Sequence, residues 1–345
     1  AKGVLGKTIK KGDNTISILP MAHMYGMSFE FLFEFLHGCH VFYLTRVPSP
    51  AIIAQAFKDV KPAIVIAVPL VIEKIIRKKV FPQIQNTKVK LLMKMPGVGK
   101  KVKKRICEQV YQAFGGNLYE VIIGGAALNQ EIESFLKDID FPFTVGYGAT
   151  ECAPIITYSD WHDFVPMSCG REVVHMEVKI DSENPETVPG EILARGLNVM
   201  LGYYKNDEAT AQTIDKDGWY HTGDLGLMDK GGNVFIKGRS KNMLLGPNGQ
   251  NIYPEEIEDK LNSMTFAMES VVVQRDGKLV GLVHPDFDEV QAMGLSRDDL
   301  QSLMEENRVQ VNANLPVYCK IAAIEIHDEE FEKTPKKSIK RYLYK

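Results

Sequence analysis

At 345 residues the chain is long enough for two domains with cores of their own. Its apolar share of 45% and charged share of 25% are those of an ordinary globular protein, and a net charge of −3 excludes a global pull towards nucleic acid. Five scattered cysteines (Cys39, Cys107, Cys152, Cys169, Cys319) form no C-x-x-C pair and read as reduced thiols. With no signal peptide ahead of the first strand, the expected location is the cytoplasm.

Taken in order, Asn14 to Leu19 alternates as a strand and ends at Pro20. Met21-Ala-His-Met-Tyr-Gly26 and an apolar helix, Ser28 to Leu36, follow. Val41 to Leu44 (strand), Ala51 to Phe57 (helix), Ala63 to Ala67 (strand) and Pro69 to Lys79 (helix) then alternate. That βαβα rhythm predicts an α/β fold, a layered, largely parallel sheet covered by helices. The apolar run Ala63 to Ile72 is too short to span a bilayer and is broken by Pro69.

Between Glu73 and Glu108 stand twelve basic residues and no acid, from Lys74 to Arg105. In a chain of net charge −3 this is a local asymmetry. Val89, Leu91, Leu92, Met93 and Met95 are interleaved with it. Three readings stay open for the 74–105 stretch: a solvated helical face, a guide for the phosphates of a ligand, and peripheral contact with the inner, anionic membrane surface.

Tyr119 to Ile123 reads as a strand running into Gly124-Gly125-Ala126-Ala127, and small residues at a strand's carboxyl end leave room for a ligand. The pattern is not G-x-G-x-x-G, which counts against a dehydrogenase. A helix near Gln130 to Lys137 and a strand Phe143 to Gly146 deliver Tyr147-Gly148-Ala149-Thr150-Glu151. Glycines around Tyr147 let the backbone approach a flat ligand on which the phenol stacks. Thr150 can donate to a phosphate oxygen, and Glu151 can hold a hard cation such as magnesium.

Alternation from Val174 to Ile180 and from Glu191 to Arg195 predicts a small β subdomain. A helix Asp207 to Ile214 leads to Gly218-Trp-Tyr-His-Thr-Gly-Asp224, where the acid is expected in a turn of small residues. The strand Val234 to Ile236 then reaches Gly238-Arg239. A carboxylate accepting from hydroxyls beside a guanidinium gripping phosphate or ribose suits a polyhydroxy, phosphorylated ligand. After residue 240 the composition changes, and 241–345 reads as a separate α+β domain. Its signals include Pro254 opening a helix over Glu255 and Glu256, and Ser296 capping another over Asp298 and Asp299.

Together YGATE, GWYHTGD, IKGRSKN and GQNIYPEEIE resemble the adenylate-forming (AMP-binding) superfamily, and within it the long-chain fatty-acid–CoA ligases. The resemblance covers most of the chain. It implies an acid–thiol ligase that uses ATP, Mg2+ and coenzyme A to turn a fatty carboxylate into acyl-AMP and then a thioester. It implies that 1–240 is an adenylation core lacking its amino-terminal portion and that 241–345 is a mobile lid. Gly124, Gly125 and Ala126 would line adenine, with Tyr147, Gly148, Thr150, Asp224 and Arg239 completing the nucleotide site. Thr150 and Glu151 would act in catalysis, Glu151 holding the metal, and His23 would border the acyl pocket. Lys241 would be the hinge, and Gly246 and Gly249 would line the coenzyme A channel.

Two departures from the family pattern stand out. Its Ser/Thr/Gly-rich phosphate loop ends in Pro-Lys-Gly-Val, of which only Lys2-Gly3-Val4 is here, with Ala1 in the proline's place. This implies a fragment of a longer enzyme, with impaired activity. The family's terminal catalytic lysine is matched by Ser338, so the adjacent Lys337 is expected to serve, Lys336 and Lys340 less so. Two alternatives stay open: a ligase that hands its acyl group to a carrier protein, and an inert AMP-binding fragment.

Overall fold

The computed structural model describes residues 9–45, 49–84, 92, 93, 95, 98–246, 249–334 and 339–344. The chain falls into two compact units: Ala1–Thr222 with Gly226–Ile236, and Gly223–Leu225 with Lys237–Lys345.

The first unit is built on five parallel strands, β1 (Asn14–Ser17), β2 (His40–Tyr43), β3 (Ile64–Ala67), β4 (Glu120–Ile123) and β5 (Phe143–Val145). Their order across the sheet is β2-β1-β3-β4-β5. β3 and β4 are near-continuous apolar runs because both of their faces are covered; every residue of each is buried. Helices Pro50–Val60, Val98–Ala113 and Gln130–Asp138 supply the cover. The first of these starts on Ser49, whose hydroxyl accepts from the Ile52 amide, and stops at Lys61, in the left-handed region.

Between β1 and β2 the chain forms a π-helical stretch, Gly26–Phe33, continued by Glu34–Leu36. It buries two acids one turn apart. Glu30 accepts from the Ser17 hydroxyl at 3.0 Å and from the Ile18 and Leu19 amides at 3.0 and 2.9 Å, which ties the helix to the exit of β1. Glu34 accepts from the Thr15 hydroxyl at 2.7 Å. Burial pushes Glu30 up to about 7 and Glu34 up to about 8, the hydrogen bonds offsetting only part of it.

Short strands β6 (Tyr147–Gly148), β7 (Ile155–Tyr158) and β8 (Arg171–Glu172) make a second sheet. A third has the order β12-β11-β10-β9, with β9 (Met176–Asp181) and β10 (Gly190–Gly196) antiparallel, then β11 (Tyr220–Met228) and β12 (Val234–Arg239). Here the structure corrects one expectation: Asp224 lies within the nine-residue strand β11 and not in a turn. The strand runs through Gly223 at φ 70°, a value only glycine adopts without strain, so small residues that read as a turn are accommodated inside a strand.

In the second unit, β13 (Leu244–Leu245) and β14 (Asn251–Ile252) pair as a hairpin, and β15 (Ala267–Arg275) is antiparallel to β16 (Lys278–Pro285). β16 is in turn parallel to β17 (Ile321–Ile326). Helices Pro254–Asn262 and Arg297–Ala313 pack their apolar residues, Ile257, Leu261, Leu300 and Met304 among them, into one core with Val272, Val283 and Ile324. Ser296 and Asp299 form a reciprocal capping box at the longer helix. Beneath the sheet, buried Glu258 holds Arg341 through both carboxylate oxygens at 2.7 and 2.6 Å, and Arg341 also donates to the Val272 carbonyl.

Candidate functional site

In the first unit the segments expected to meet a ligand leave the carboxyl ends of strands of the one parallel sheet, which is where open α/β sheets place their binding crevices. β1 leads to Pro20 and His23, β4 to Gly124 and β5 to Tyr147. The His23 ring Nδ1 accepts from the Tyr25 amide at 3.1 Å. Tyr25 is buried and donates to the Ile122 carbonyl. Its ring lies so close over Gly124 that an added Cβ would sit 3.0 Å from it, so the two segments are packed on each other. Gly124 is buried, whereas Gly125 (φ 86°), Ala126 and Ala127 are exposed, an open strip of backbone at the strand's end. Tyr147 is a core residue, 8% exposed, so only a small part of its ring could meet a ligand.

The Thr150–Cys152 turn is clasped from a distant loop. The Glu151 carbonyl accepts from the Met200 amide at 2.7 Å, and the Asn198 side chain donates to the carbonyls of Cys152 and Ile155 at 2.6 and 2.9 Å. The Glu151 carboxylate accepts from the Tyr203 hydroxyl at 2.9 Å, and its charge also bears on the phenol of Tyr220. Burial, then the neighbouring carboxylate, raises both phenols above the usual tyrosine range, so both stay protonated. Thr150 itself is exposed. Asn198, Tyr203 and Tyr220 were not among the residues expected from sequence. Their signal was adjacency: Tyr203 stands in Leu201-Gly-Tyr-Tyr204 and Tyr220 beside the HTGD run.

Gly148 is fixed by sterics. A Cβ there would stand 2.0 Å from the Pro154 carbonyl oxygen, a backbone atom that cannot step aside, while the Ala149 amide donates to that same oxygen. Gly148→Ala is therefore expected to cost the first unit about 1–3 kcal/mol or more by overpacking. Thermal melting followed by tryptophan fluorescence checks this, since both tryptophans, Trp161 and Trp219, belong to this unit. An unchanged midpoint would show that the β6–β7 packing is looser than described.

In the second unit, the Arg239 Nε donates to the Asp224 carboxylate at 2.8 Å; Asp224 is buried, while 61% of the arginine side chain is exposed. The guanidinium is thus anchored to the carboxylate through its Nε edge. Lys241 is exposed in the turn Ser240–Asn242. Around it the Asn242 side chain donates to Glu255 and Lys237 pairs with Glu256, both at 2.7 Å, using the acids of the following helix's first turn. Buried Gly246 accepts from the Gly249 amide, and Gly249, at φ 79°, faces open space. Lys337 lies outside the described residues, as do Ser338, Lys336 and Lys2-Gly3-Val4.

A family model described as AMP-binding enzyme matches residues 3–204. The chain belongs to the AMP-binding enzyme family. Among curated relatives of this family member, long-chain-fatty-acid–CoA ligase 1 of Saccharomyces cerevisiae is 28% identical over 304 residues, 81% of this chain and 43% of the yeast protein. The putative acyl-CoA synthetase YngI of Bacillus subtilis is 37% identical over 193 residues, 54% of this chain and 32% of its own. The chain thus spans less than half the length of these curated relatives.

Among solved structures, the o-succinylbenzoate–CoA synthetase MenE of Bacillus subtilis in complex with AMP superposes with a TM-score of 0.74 at 20% identity, covering 100% of this chain and 63% of MenE. A benzoate–CoA ligase from Burkholderia xenovorans gives 0.74 at 20%, covering 99% of this chain and 62% of that one. At such identities the likeness concerns the fold, which is that of an AMP-binding enzyme's mixed α/β architecture.

For this family member a magnesium ion is implied, and the donor set can be judged. Among the described residues no three His, Cys, Asp or Glu side chains gather into a metal-holding group. Mg2+ beside a nucleotide is commonly held by one or two carboxylates plus phosphate oxygens. Glu151, its carboxylate already oriented by the Tyr203 phenol, fits that arrangement.

Proposed function

We propose that this chain belongs to an acid–thiol ligase that activates a fatty carboxylate with ATP and passes it to coenzyme A. The observation that carries the reading is the family match over residues 3–204. Within it, the His23 turn, the Gly124–Ala126 strip and the Thr150–Glu151 turn follow β1, β4 and β5 of one parallel sheet. A carboxylate oxygen attacks the α-phosphorus of ATP, the bond to the bridging β-phosphate oxygen breaks, and pyrophosphate leaves. The sulfur of coenzyme A then attacks the acyl carbon, the bond to the AMP oxygen breaks, and AMP leaves.

In this reading Gly124, Gly125, Ala126 and Tyr147 border the adenine, and Gly148 keeps the backbone low beside it. Thr150 donates to a phosphate oxygen, Asp224 accepts from the ribose hydroxyls, and Arg239 serves ribose or phosphate with its guanidinium. Glu151 would hold the magnesium, whose charge offsets that of the phosphates when bound. His23 borders the acyl group, Lys241 is the hinge, Gly246 and Gly249 line the thiol's approach, and Lys337 approaches the α-phosphate. Relatives named for long-chain fatty acids support the acid class. Fatty acids collect in bilayers, so peripheral membrane contact belongs to the same reading; among the described residues no helix is long and apolar enough to cross a membrane.

Carboxylate-dependent exchange of labelled pyrophosphate into ATP tests the proposal. Exchange should rise with long-chain fatty acids and not with benzoate. Arg239→Ala should lower it about 10²–10³-fold, the loss typical of one donor aimed at developing charge. Exchange that ignores the acid, or survives the substitution unchanged, would refute the assignment.

A further inference from the structure

The exposed strip 125–127 hangs at both ends on one corner of the fold. At its start the Gly124 amide donates to the Ala67 carbonyl at 3.0 Å, at the carboxyl end of β3, and a Cβ on Gly125 would stand 3.7 Å from a Val68 methyl. β3 turns through Val68 into the helix Pro69–Ile75. At the far end of the strip the Asn129 amide donates to the carboxylate of Glu73, on that same helix, at 3.0 Å. Ala67 and Glu73 thus bracket the strip from a single strand–helix corner. The bracket is firmly based, since Ile72 and Ile75 on one side and Leu128, Ile132 and Leu136 on the other are buried in one core. Arg77, a helical turn beyond Glu73, pairs with Glu131 at 3.6 Å and makes a second tie to the helix Gln130–Asp138.

The start of the helix Gln130–Asp138 does not account for Glu73. Asn129 caps that helix by itself, its side-chain oxygen accepting from the Glu131 and Ile132 amides at 3.1 and 3.4 Å. The Asn129 backbone amide lies ahead of the helix and outside its hydrogen-bonding ladder. Asn129 is 5% exposed, so an amide left without an acceptor there would carry a desolvation cost. A carboxylate is the strongest acceptor the chain can bring to it, and it holds an amide more firmly than a neutral carbonyl does. Between the two fixed ends, three small residues present their backbone to solvent.

We propose that Glu73 is a positioning residue of the nucleotide site: through the Asn129 amide it fixes the far end of the strip 125–127, so that this backbone is in place before adenine arrives. The inference rests on the reading of that strip as the adenine border, and it goes further by naming the group that holds the border still. Glu73 acts through Asn129 and not on the nucleotide. A strip that has to be ordered on binding takes the entropy of ordering out of the affinity. Loss of the acceptor therefore weakens binding without removing any group that meets the ligand.

Calorimetric titration of the whole chain with AMP tests it. Glu73→Ala should weaken AMP binding about 10-fold, the scale of one lost hydrogen bond to a charged group. Glu73→Gln, whose side-chain carbonyl can still accept from the Asn129 amide, should recover most of that loss. In pyrophosphate exchange the alanine variant should show its defect in KM for ATP more than in kcat. Amide hydrogen exchange at 125–129 should quicken in Glu73→Ala while β4 exchanges as in the parent, a pattern that a general loss of stability would not give. Tryptophan-monitored melting shows the temperature range in which each variant is folded. Equal AMP affinity in parent and folded Glu73→Ala would overturn the assignment alone, as would a glutamine variant as weak as the alanine one. A parent chain that takes up no AMP would overturn the nucleotide reading, and this assignment with it.

Discussion

Arg341→Gln is expected to loosen the carboxyl-terminal unit by about 3–5 kcal/mol, because it strands Glu258 as an unpaired buried charge. Glu258 is 7% exposed, and Arg341 supplies it with both of its guanidinium contacts from 83 residues away. A second Arg341 nitrogen donates to the Val272 carbonyl, so the same side chain also pins the terminal segment to β15. Amide hydrogen exchange across Val271–Val273 should accelerate by about 10²–10³-fold if opening of this unit limits exchange. The tryptophan signal, which comes only from the first unit, should not move. A double variant with Glu258→Gln as well should recover part of the loss, because the uncompensated charge is then gone. Exchange rates unchanged in Arg341→Gln would show that the pair contributes little.

The second large effect is on the first unit's dependence on pH. Burial raises Glu30 to about 7, Glu34 to about 8 and Glu120 to about 8, against an ordinary value of 4.5. The folded state therefore binds more protons than the unfolded chain between those values. Stability is full below about pH 4.5 as far as these groups go, and is lost as pH rises through 7 to 8. At about 1.4 kcal/mol per unit of pKa, the loss is on the order of several kcal/mol for each group. Melting by tryptophan fluorescence at mildly acidic and mildly alkaline pH reads it directly. Glu30→Gln with Glu34→Gln should flatten the curve, because glutamine keeps much of the hydrogen bonding to Ser17 and Thr15 and cannot ionise. A slope as steep in the double variant as in the parent would assign the effect elsewhere.

Much of the architecture was legible because local chemistry and burial agreed. Pro254 with Glu255 and Glu256, and Ser296 with Asp299, mark helix starts that the structure has at those residues. The apolar runs at Ile64 and Glu120 became adjacent parallel strands for the same reason. The long strand through Asp224 was not legible, since Thr222, Gly223 and Gly226 have the composition of a turn and only pairing reveals a strand. The helix Val98–Ala113 went unassigned as an element because its charges run against the usual start signals.

Contacts across sequence distance were the least readable. Nothing near Glu151 announces that a phenol 52 residues later will hold its carboxylate, and nothing near Glu258 announces Arg341. The candidate site was readable where motif residues carry their own chemistry, as in the Asp224–Arg239 pair. It was not readable where one motif is positioned by the backbone of another, as with Asn198 on Cys152 and Ile155.

The most direct test of the functional account is calorimetric titration of the chain with AMP and with a non-hydrolysable long-chain acyl-adenylate. The account predicts that both bind, that the acyl-adenylate binds at least about 100-fold tighter because it resembles the reacting species, and that Asp224→Ala weakens both. A folded chain that takes up neither, or that binds AMP no less tightly than the acyl-adenylate, would contradict it.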